Sequence, residues 1–521
     1  MKRVLFINAL IIITTSLLFN TVGISFRVFM SNQIGTEGMG LLQLIMSIYM
    51  IATLFVVTGI NVGVTRLVAE EGGRHSFAVS RALLMRAFSV SFLFSIPAFL
   101  FLFFGAEWIG TRLLNDTRTI FSLKLLAAGM PFMGISSCIK GYFYAQSKLV
   151  RPAGSQAIEI MIQIAVVMSI LEYFMQGGLE YGCAAIVLGI AIAEIVSCMF
   201  LLTFYWLEKR KSDAEVSEIF FQKRIIKKML SIAFPVSVSS LLRGILKAIE
   251  NIMIPIAFVK YGHSKKLALE EYGQIQGMVM PVLLFPASIL IAFSSLLIPE
   301  ISEANACKHR RRVRYSVTRA IQITLFMSIL TAGYFIAFGD RLGILIYDSY
   351  ECGRMMQILA PLIPLIYIDF VADDLLKGLN HQISTLVYSI YDAILKIALI
   401  YFLIPANGLE GFIIVLYISG AFGTFLVVRK LLLTTGIKMK FMDWIFKPAL
   451  SVAAAAYSAV FFLNPTGLFL SDALFLISSG ILMGIFYFLF LIKLGCITRE
   501  DLIWMKGMLS YSSDTRPPMS K

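Results

Sequence analysis

Charge is scarce in this chain: Asp, Glu, Lys and Arg make up 15% of its 521 residues, against 58% hydrophobic residues. With apolar runs of about 20 residues, so thin a polar complement excludes a soluble globule and implies an all-α polytopic membrane protein. Histidine is scarcer still. His75, His263, His309 and His381 are dispersed and show no H-x-x-x-H spacing, so no metal site is expected. Cys138, Cys183, Cys198, Cys307, Cys352 and Cys496 include no C-x-x-C pair, which excludes a disulfide framework or zinc site. Absent too are a G-x-x-x-x-G-K-[ST] phosphate cradle and a G-x-S-x-G turn, so neither an ATP-driven pump nor a familiar hydrolase is supported. The chain reads as a non-enzyme without cofactor, whose work draws on a gradient, the membrane potential or the substrate's own imbalance. A formal charge of +14 raises nucleic acid as a partner. The basic residues nevertheless come in short clusters between apolar runs, as cytoplasmic loops do, and nucleic acid is set aside.

Hydropathy predicts spans near 5–30, 39–62, 83–104, 121–146, 153–173 and 182–206, a polar connector at 208–228, then spans near 230–259, 272–298, 315–338, 355–378, 384–404 and 409–431. Two more, near 445–463 and 472–493, precede a polar tail. The expected division is an N-terminal lobe 1–207, the connector, a C-terminal lobe 229–432, spans 13 and 14 within 441–495, and a tail 496–521. Alternate loops test the fourteen-span count, because those facing the cytoplasm are rich in Lys and Arg. Lys2 and Arg3, Arg74 and Arg81, Lys148 and Arg151, and Lys209, Arg210, Lys211, Lys223 and Arg224 all fall on one side. So do Lys308 with Arg310, Arg311, Arg312 and Arg314, then Arg429, Lys430, Lys438 and Lys440, and finally Arg499 and Lys506. Both termini are therefore expected in the cytoplasm. The opposite loops are poor or balanced, except 260–271, where Lys260, Lys265 and Lys266 face Glu270 and Glu271.

The two six-span blocks echo each other at an offset of about 233 residues. Gly40 and Gln43 recur as Gly273 and Gln276, Glu70 as Glu303, Leu126-Ala127 as Leu359-Ala360, and Pro131 as Pro364. Lys140-Gly141 pairs with Lys377-Gly378 if four residues are inserted, and Glu159 pairs with Asp392. Two repeats with an even number of spans insert in the same orientation. That is a transporter pattern, with the substrate site expected between halves.

Charges inside the predicted spans mark a pathway, since each cation at mid-membrane costs roughly 2.5–3.5 kcal/mol even on the lenient insertion scale. Arg243, Lys247 and Glu250 share one stripe of the seventh span. Arg27 and Arg66 lie at span ends, where snorkelling is an alternative. Lys140, Glu159 and Glu194 fall deeper. In the second block Asp369, Asp373, Asp374 and Lys377 recur along one span, and Asp392 and Lys396 form an i, i+4 pair on the next. A closed ion-pair cluster holding helices together is the competing reading.

Several ordered fragments carry a family resemblance. These are Gly23-Ile24-Ser25-Phe26-Arg27 with Ile34-Gly35-Thr36-Glu37-Gly38-Met39-Gly40-Leu41, then Arg66-Leu67-Val68-Ala69-Glu70, then Lys140-Gly141-Tyr142-Phe143 with Pro152, Gln156 and Glu159. In the second half they are Met280-Pro281-Val282-Leu283-Leu284-Phe285-Pro286, Ile298-Pro299-Glu300-Ile301-Ser302-Glu303-Ala304 and Lys377-Gly378-Leu379-Asn380. The chain resembles the stage V sporulation protein B group of polysaccharide-type flippases, in the multidrug/oligosaccharidyl-lipid/polysaccharide exporter superfamily. The resemblance implies two six-helix lobes, alternating access and an undecaprenyl-diphosphate sugar as cargo, in this group a peptidoglycan precursor for the spore cortex. It also implies a bacterial cytoplasmic or forespore-surrounding membrane, and a groove for a polyprenyl tail formed by the last two spans. The chain departs from the family at Gln163, where an Arg is frequent, and at Asn20, where a Lys is common.

The expected site therefore holds the cargo diphosphate with Arg243, Lys247 and Arg27, assisted by Lys140 and Arg66. Glu250, Glu159, Asp369, Asp392, Lys396 and Lys377 balance these charges or take up a coupling H+ or Na+. Membrane lipids and cell-wall synthesis enzymes complete the expected partners. The rivals are a small-molecule or drug antiporter on the same scaffold and a non-transporting scaffold for cell-wall enzymes.

Overall fold

The computed structural model describes residues 2–497 except 73–76, 147, 149, 210–221 and 464–470; within its helices the side chains of 2–17, 71–72, 77–82, 209, 222–227 and 296 are not described. Most of the connector and nearly all of the expected tail thus lie outside the described residues, as do the side chains of Lys2 and Arg3. The described chain is helical throughout: α1 (Lys2–Thr53), α2 (Gly59–Gly72), α3 (Phe77–Trp108), α4 (Thr119–Ala145), α5 (Val150–Met175), α6 (Leu179–Lys209), α7 (Gln222–Tyr261) and α8 (Lys265–Tyr272) come first. They are followed by α9 (Met280–Leu284), α10 (Ala287–Ala306), α11 (Arg310–Tyr347), α12 (Tyr350–Leu359), α13 (Ile363–Gly378), α14 (Gln382–Thr435), α15 (Lys447–Leu463) and α16 (Asp472–Lys493).

Twelve helices among the described residues are long and apolar enough to cross a bilayer, where hydropathy predicts fourteen spans. The difference arises at two long helical segments, Leu18–Glu70 and Gln382–Thr435, of 53 and 54 residues. At about 1.5 Å per residue each far exceeds the roughly 30 Å apolar core, so neither can cross once as a straight rod. Each is broken at a single glycine, Gly35 (φ 68°) in the first and Gly408 (φ 57°) in the second. Both backbones sit in the left-handed region that a Cβ disfavours. The loops expected after spans 1 and 11 are thus reduced to one-residue breaks. The eighth predicted span, 272–298, departs in the other direction. It divides into α8, a π-helical stretch Gly273–Val279, α9 and α10, with a turn at Phe285 and Pro286. Pro281 and Pro286 each lack the N–H that an uninterrupted helix would use there.

The chain forms two compact units: Met1–Ala292 with Gln382–Gly423, and Phe293–His381 with Thr424–Lys521. In the first unit, Val64, Leu67, Leu84, Ala87, Ile139, Phe143 and Leu201 bring α2, α3, α4 and α6 into one core. Glycine permits the closest approaches. A Cβ on Gly59 would overlap the Ala233 carbonyl of α7, one on Gly40 would overlap the Leu269 carbonyl of α8, and one on Gly273 would overlap the backbone of Thr36 and Gly40. Where lipid supplies no hydrophobic drive between helices, such small-residue contacts carry the packing. In the second unit α11 packs on α15 and α16 through Phe326, Phe338, Val452, Ala459, Phe475 and Met483. The Tyr334 and Tyr487 hydroxyls donate to the carbonyls of Leu476 (2.8 Å) and Phe326 (3.1 Å).

Hydrogen bonds of the same kind and spacing occur in the two halves. The Thr65 hydroxyl donates to the Gly141 carbonyl at 3.2 Å, and the Ser302 hydroxyl donates to the Gly378 carbonyl at 2.9 Å. Both pairs are 76 residues apart, and Gly141 and Gly378 stand at the offset expected once four residues are inserted, whereas Ser302 lies four residues beyond the position that the offset of Glu70 and Glu303 matches to Thr65. Likewise Asn115 (φ 53°) and Asp348 (φ 50°), two of the few non-glycine residues with positive φ, stand at the original offset. Gly40 and Gly273, matched by sequence, meet each other directly in the first unit.

Candidate functional site

The stripe on α7 divides into two kinds of charge. Glu250 is buried, accepts from Lys247 Nζ at 3.0 Å and forms an ion pair with Lys396 Nζ of α14 at 3.5 Å. Lys396 thus reaches across to α7. Asp392, expected to pair with Lys396 along its own helix, makes no ion pair among the described residues, although Lys396, Glu250 and Lys247 all lie within its electrostatic reach. Its Oδ1 is buried without a hydrogen bond, beside Gly423. Asn251, next to Glu250, donates to Ser47 Oγ at 2.9 Å and ties α7 to α1. Arg243 is exposed and makes no ion pair among the described residues. Lys247, whose side chain is 45% exposed, stands one turn from it with donor capacity left over. A guanidinium and an ammonium one turn apart suit phosphate oxygens, with the planar fork supplying orientation and the ammonium a point charge.

A second group in the same unit joins α4, α5 and α6. Lys140 Nζ lies 3.5 Å from Glu159 Oε2, which also accepts from Ser197 Oγ at 3.5 Å, and Ser197 is 2.7 Å from Ser155. Glu194 is buried within electrostatic reach of both Glu159 and Lys140. Sequence reading found these charges but missed Ser155 and Ser197; serines in an apolar helix are too common to single out. Gln163, one turn beyond Glu159 on α5, is half-buried. Arg27 on α1 is half-buried, and Asn20 is exposed. Arg66 stands apart. Its side chain is 65% exposed and pairs with Glu70 at 2.9 Å, and Glu70 also pairs with Lys228 of α7.

In the second unit, Lys377 is held by Asp373 (2.7 Å) and Asp374 (3.0 Å) on its own helix, and Asp374 accepts from Ser294 Oγ at 2.6 Å. Asp369 is half-buried one turn earlier. The cysteines are unbonded, and no cluster of metal-ligating side chains occurs among the described residues.

The loop 260–271, the exception to the charge alternation, is neutralised by its surroundings. Lys265 approaches Asp116 (3.8 Å) and the Asn115 carbonyl, Lys266 pairs with Glu270 (3.9 Å), and His263 lies 3.3 Å from Glu271. Arg118 clamps Asp116 and Glu37, each at 2.8 Å. Burial alone would push the Asp116 carboxyl up, but the Arg118 hydrogen bonds and charge outweigh it and hold the group below its ordinary range.

Similarity to known proteins agrees with this architecture. The profile of the polysaccharide biosynthesis protein family matches residues 5–305. The chain is 26% identical over 418 residues to Stage V sporulation protein B of Bacillus subtilis (strain 168), covering 79% of this chain and 80% of that one. It is 21% identical over 471 residues to Lipid II flippase MurJ of the same organism, covering 81% and 85%. Among solved structures, Lipid II flippase MurJ in an inward closed conformation matches with a TM-score of 0.69 at 14% identity, covering 95% of this chain and all of that one. An inward-facing multidrug resistance MATE family transporter of the MOP superfamily matches with a TM-score of 0.66 at 13% identity, covering 83% of this chain and 100% of the other. The relatives whose names state an activity are flippases and transporters rather than catalytic enzymes, as the missing nucleophile and phosphate motifs led us to expect. With more than half of its length matched by the family profile, the chain belongs to the polysaccharide biosynthesis protein family, and its fold is that of the solved MATE transporter and MurJ flippase structures.

Proposed function

We propose that the protein is a flippase for a lipid-linked oligosaccharide, with an undecaprenyl-diphosphate peptidoglycan precursor as cargo, working by alternating access of two six-helix lobes plus two C-terminal spans. The observation that carries this reading is Arg243: a mid-span guanidinium, exposed and unpaired among the described residues, one turn from the half-exposed Lys247. A cation kept at such depth without a counter-charge is suited to an anionic cargo. Arg27, with Lys140 and Arg66 on the cytoplasmic side, extends the same sign of charge. The relatives named for lipid II and for sporulation favour a cell-wall precursor, in a bacterial cytoplasmic or forespore-surrounding membrane with both termini in the cytoplasm. Glu250, Glu159, Asp369, Asp392, Lys396 and Lys377 then balance charge or carry a coupling H+ or Na+, and cell-wall synthesis enzymes consume the product.

The test is leaflet-resolved flipping of lipid II in vesicles with and without the protein. Arg243→Ala should leave the protein inserted and abundant but stop flipping. Lys247→Glu should abolish flipping, and Lys247→Arg should keep much of it because the charge survives. If the purified protein binds cationic dyes more tightly than lipid diphosphates, or if Lys247→Glu flips as fast as the parent, the anionic-cargo reading fails and a drug antiporter takes its place.

A further inference from the structure

The second unit contains a basic cavity that the transport reading leaves unused. Its volume is about 590 Å³, and it is walled by the start of α11, by the segment joining α14 to α15, and by the turn after α16. Three spans end here together, so the cavity sits at one face of the membrane rather than within its apolar core. That is the face the loop charges assign to the cytoplasm. Its size lies within the range of roughly 300–1,000 Å³ that accommodates small ligands.

The walls are pinned to one another. Arg314 donates to the Gly436 carbonyl, Arg319 to Gln322 Oε1 at 2.9 Å, and Gln322 Nε2 to the Cys496 carbonyl at 3.0 Å. The Arg319 guanidinium also stacks over Tyr315, 5.1 Å from the ring centroid. These bonds fix the cavity's shape, and the acceptors of Arg314 and Gln322 in them are uncharged. Arg311, Lys438 and Lys440, also in the lining, make no ion pair among the described residues. Asp443, the one carboxylate among the described lining residues, is engaged by Lys447 at 2.6 Å and lies within electrostatic reach of Lys440. Five cations therefore converge on one space, and three of them, Arg311, Lys438 and Lys440, make no ion pair among the described residues.

We infer that this cavity binds the phosphate headgroup of an anionic phospholipid. Charge complementarity selects a phosphate-bearing ligand, since guanidinium and ammonium donors match phosphate oxygens and are worth roughly fivefold in affinity per charge near a membrane surface. The surroundings select a lipid over a soluble phosphate. Phe441, Met442 and Phe446, beside the lining residues Lys440, Asp443 and Trp444, are exposed apolar side chains at the end of a span, where an acyl chain can lie while its headgroup enters the basic pocket. Tyr315 and Trp444 add the aromatic character typical of the membrane–water boundary.

The experiment is native mass spectrometry of the detergent-solubilised full-length protein titrated with phosphatidylglycerol, phosphatidylcholine or, separately, inorganic pyrophosphate. Phosphatidylglycerol should be retained in preference to phosphatidylcholine. The combined variant Arg311→Gln, Lys438→Gln, Lys440→Gln should lose that preference by roughly 100-fold, the product of three such charges. It leaves Arg314, Arg319 and Gln322 to hold the walls, and none of the replaced residues makes an ion pair among the described residues, so folding is spared. The conservative pair Lys438→Arg, Lys440→Arg should keep the preference. Lys265→Gln with Lys266→Gln, in a basic loop of the other unit, should not change it. Equal retention of the two lipids, an unaffected triple variant, or loss with the 265/266 variant as large as with the triple variant overturns the assignment. So does pyrophosphate that binds as tightly as phosphatidylglycerol, which would make this a site for free phosphate.

Discussion

Replacing Glu250 by Gln tests whether the charges that α7 shares with α14 act as a structural lock. Glu250 is 6% exposed at its side chain and holds Lys247 at 3.0 Å and Lys396 at 3.5 Å. At an effective dielectric of 20 each contact represents about 5 kcal/mol of gross Coulomb attraction. Desolvation of the buried carboxylate offsets most of that. The two ammoniums then differ. Lys247 is 45% exposed, and its share falls to about 0.2–1 kcal/mol, as for surface pairs. Lys396 is 15% exposed and would be left beside a neutral amide, the situation that costs about 3–5 kcal/mol when a buried pair is broken. Asp392, within reach of Lys396, recovers part of it. A net loss of roughly 2–3 kcal/mol is therefore expected for Glu250→Gln. Thermal unfolding in detergent should register it as a drop of several degrees, and Lys396→Met combined with Glu250→Gln should lose less than the two single changes added together, with a coupling of about 0.5–3 kcal/mol. An unchanged unfolding temperature, or strictly additive losses, would refute the lock and leave Glu250 free for ion coupling.

Gly273→Val places side-chain atoms against the backbone of Thr36 and Gly40. A loss of at least the roughly 1–3 kcal/mol typical of overpacking should appear as reduced yield of folded protein, while Gly484→Val, where a Cβ meets nothing within 4 Å, should be silent. Asp116 is held below its ordinary aspartate value of 3.8, so its clamp on Arg118 contributes stability that is full above that value and lost as pH falls through the lower folded value. Asp116→Asn should thus be less stable at neutral pH and show a flatter decline on acidification, measured by unfolding temperature against pH. Single cysteines at Gly178, Asn407 and Thr466 should react with impermeant reagents from outside, and those at Ser212 and Ser513 only from inside; outside labelling at Ser212 would break the fourteen-span topology.

Composition and hydropathy made the helical membrane architecture legible because both respond to the apolar length a bilayer demands. Break points were less legible. Gly35 and Gly408 end helical geometry at one residue, whereas a hydropathy window reports the wider polar neighbourhood and therefore suggests a loop. The interrupted eighth span went the other way, because Pro281 and Pro286 barely alter its apolar average. Helical periodicity placed Arg243, Lys247 and Glu250 on one face, yet it could not say that Lys396 reaches Glu250 from α14. Partners on other helices depend on tertiary packing, which a single-helix pattern does not encode. The same limit hid the basic cavity. Arg311, Arg314, Lys438 and Lys440 were visible only as loop charges, and their convergence follows from the folding of α11 against the segment before α15.

The two halves that the sequence matches pair their charges differently. At the matched positions Ser137 and Asp374, the Ser137 hydroxyl donates to the Val57 carbonyl at 3.0 Å in the first half, and Asp374 accepts from Ser294 at 2.6 Å in the second. At this position a hydroxyl donor has become a carboxylate acceptor. That carboxylate changes the fate of the matched lysines. Lys377 is bound by Asp373 and Asp374 on its own helix, whereas Lys140, lacking acids at the matching positions Ser136 and Ser137, reaches Glu159 on another helix at 3.5 Å. A pair within one helix can survive a change in helix packing, while a pair between helices is sensitive to it. Helix movement in the first half therefore has a direct electrostatic consequence, release or capture of the Lys140 ammonium, which the second half avoids by pairing Lys377 locally.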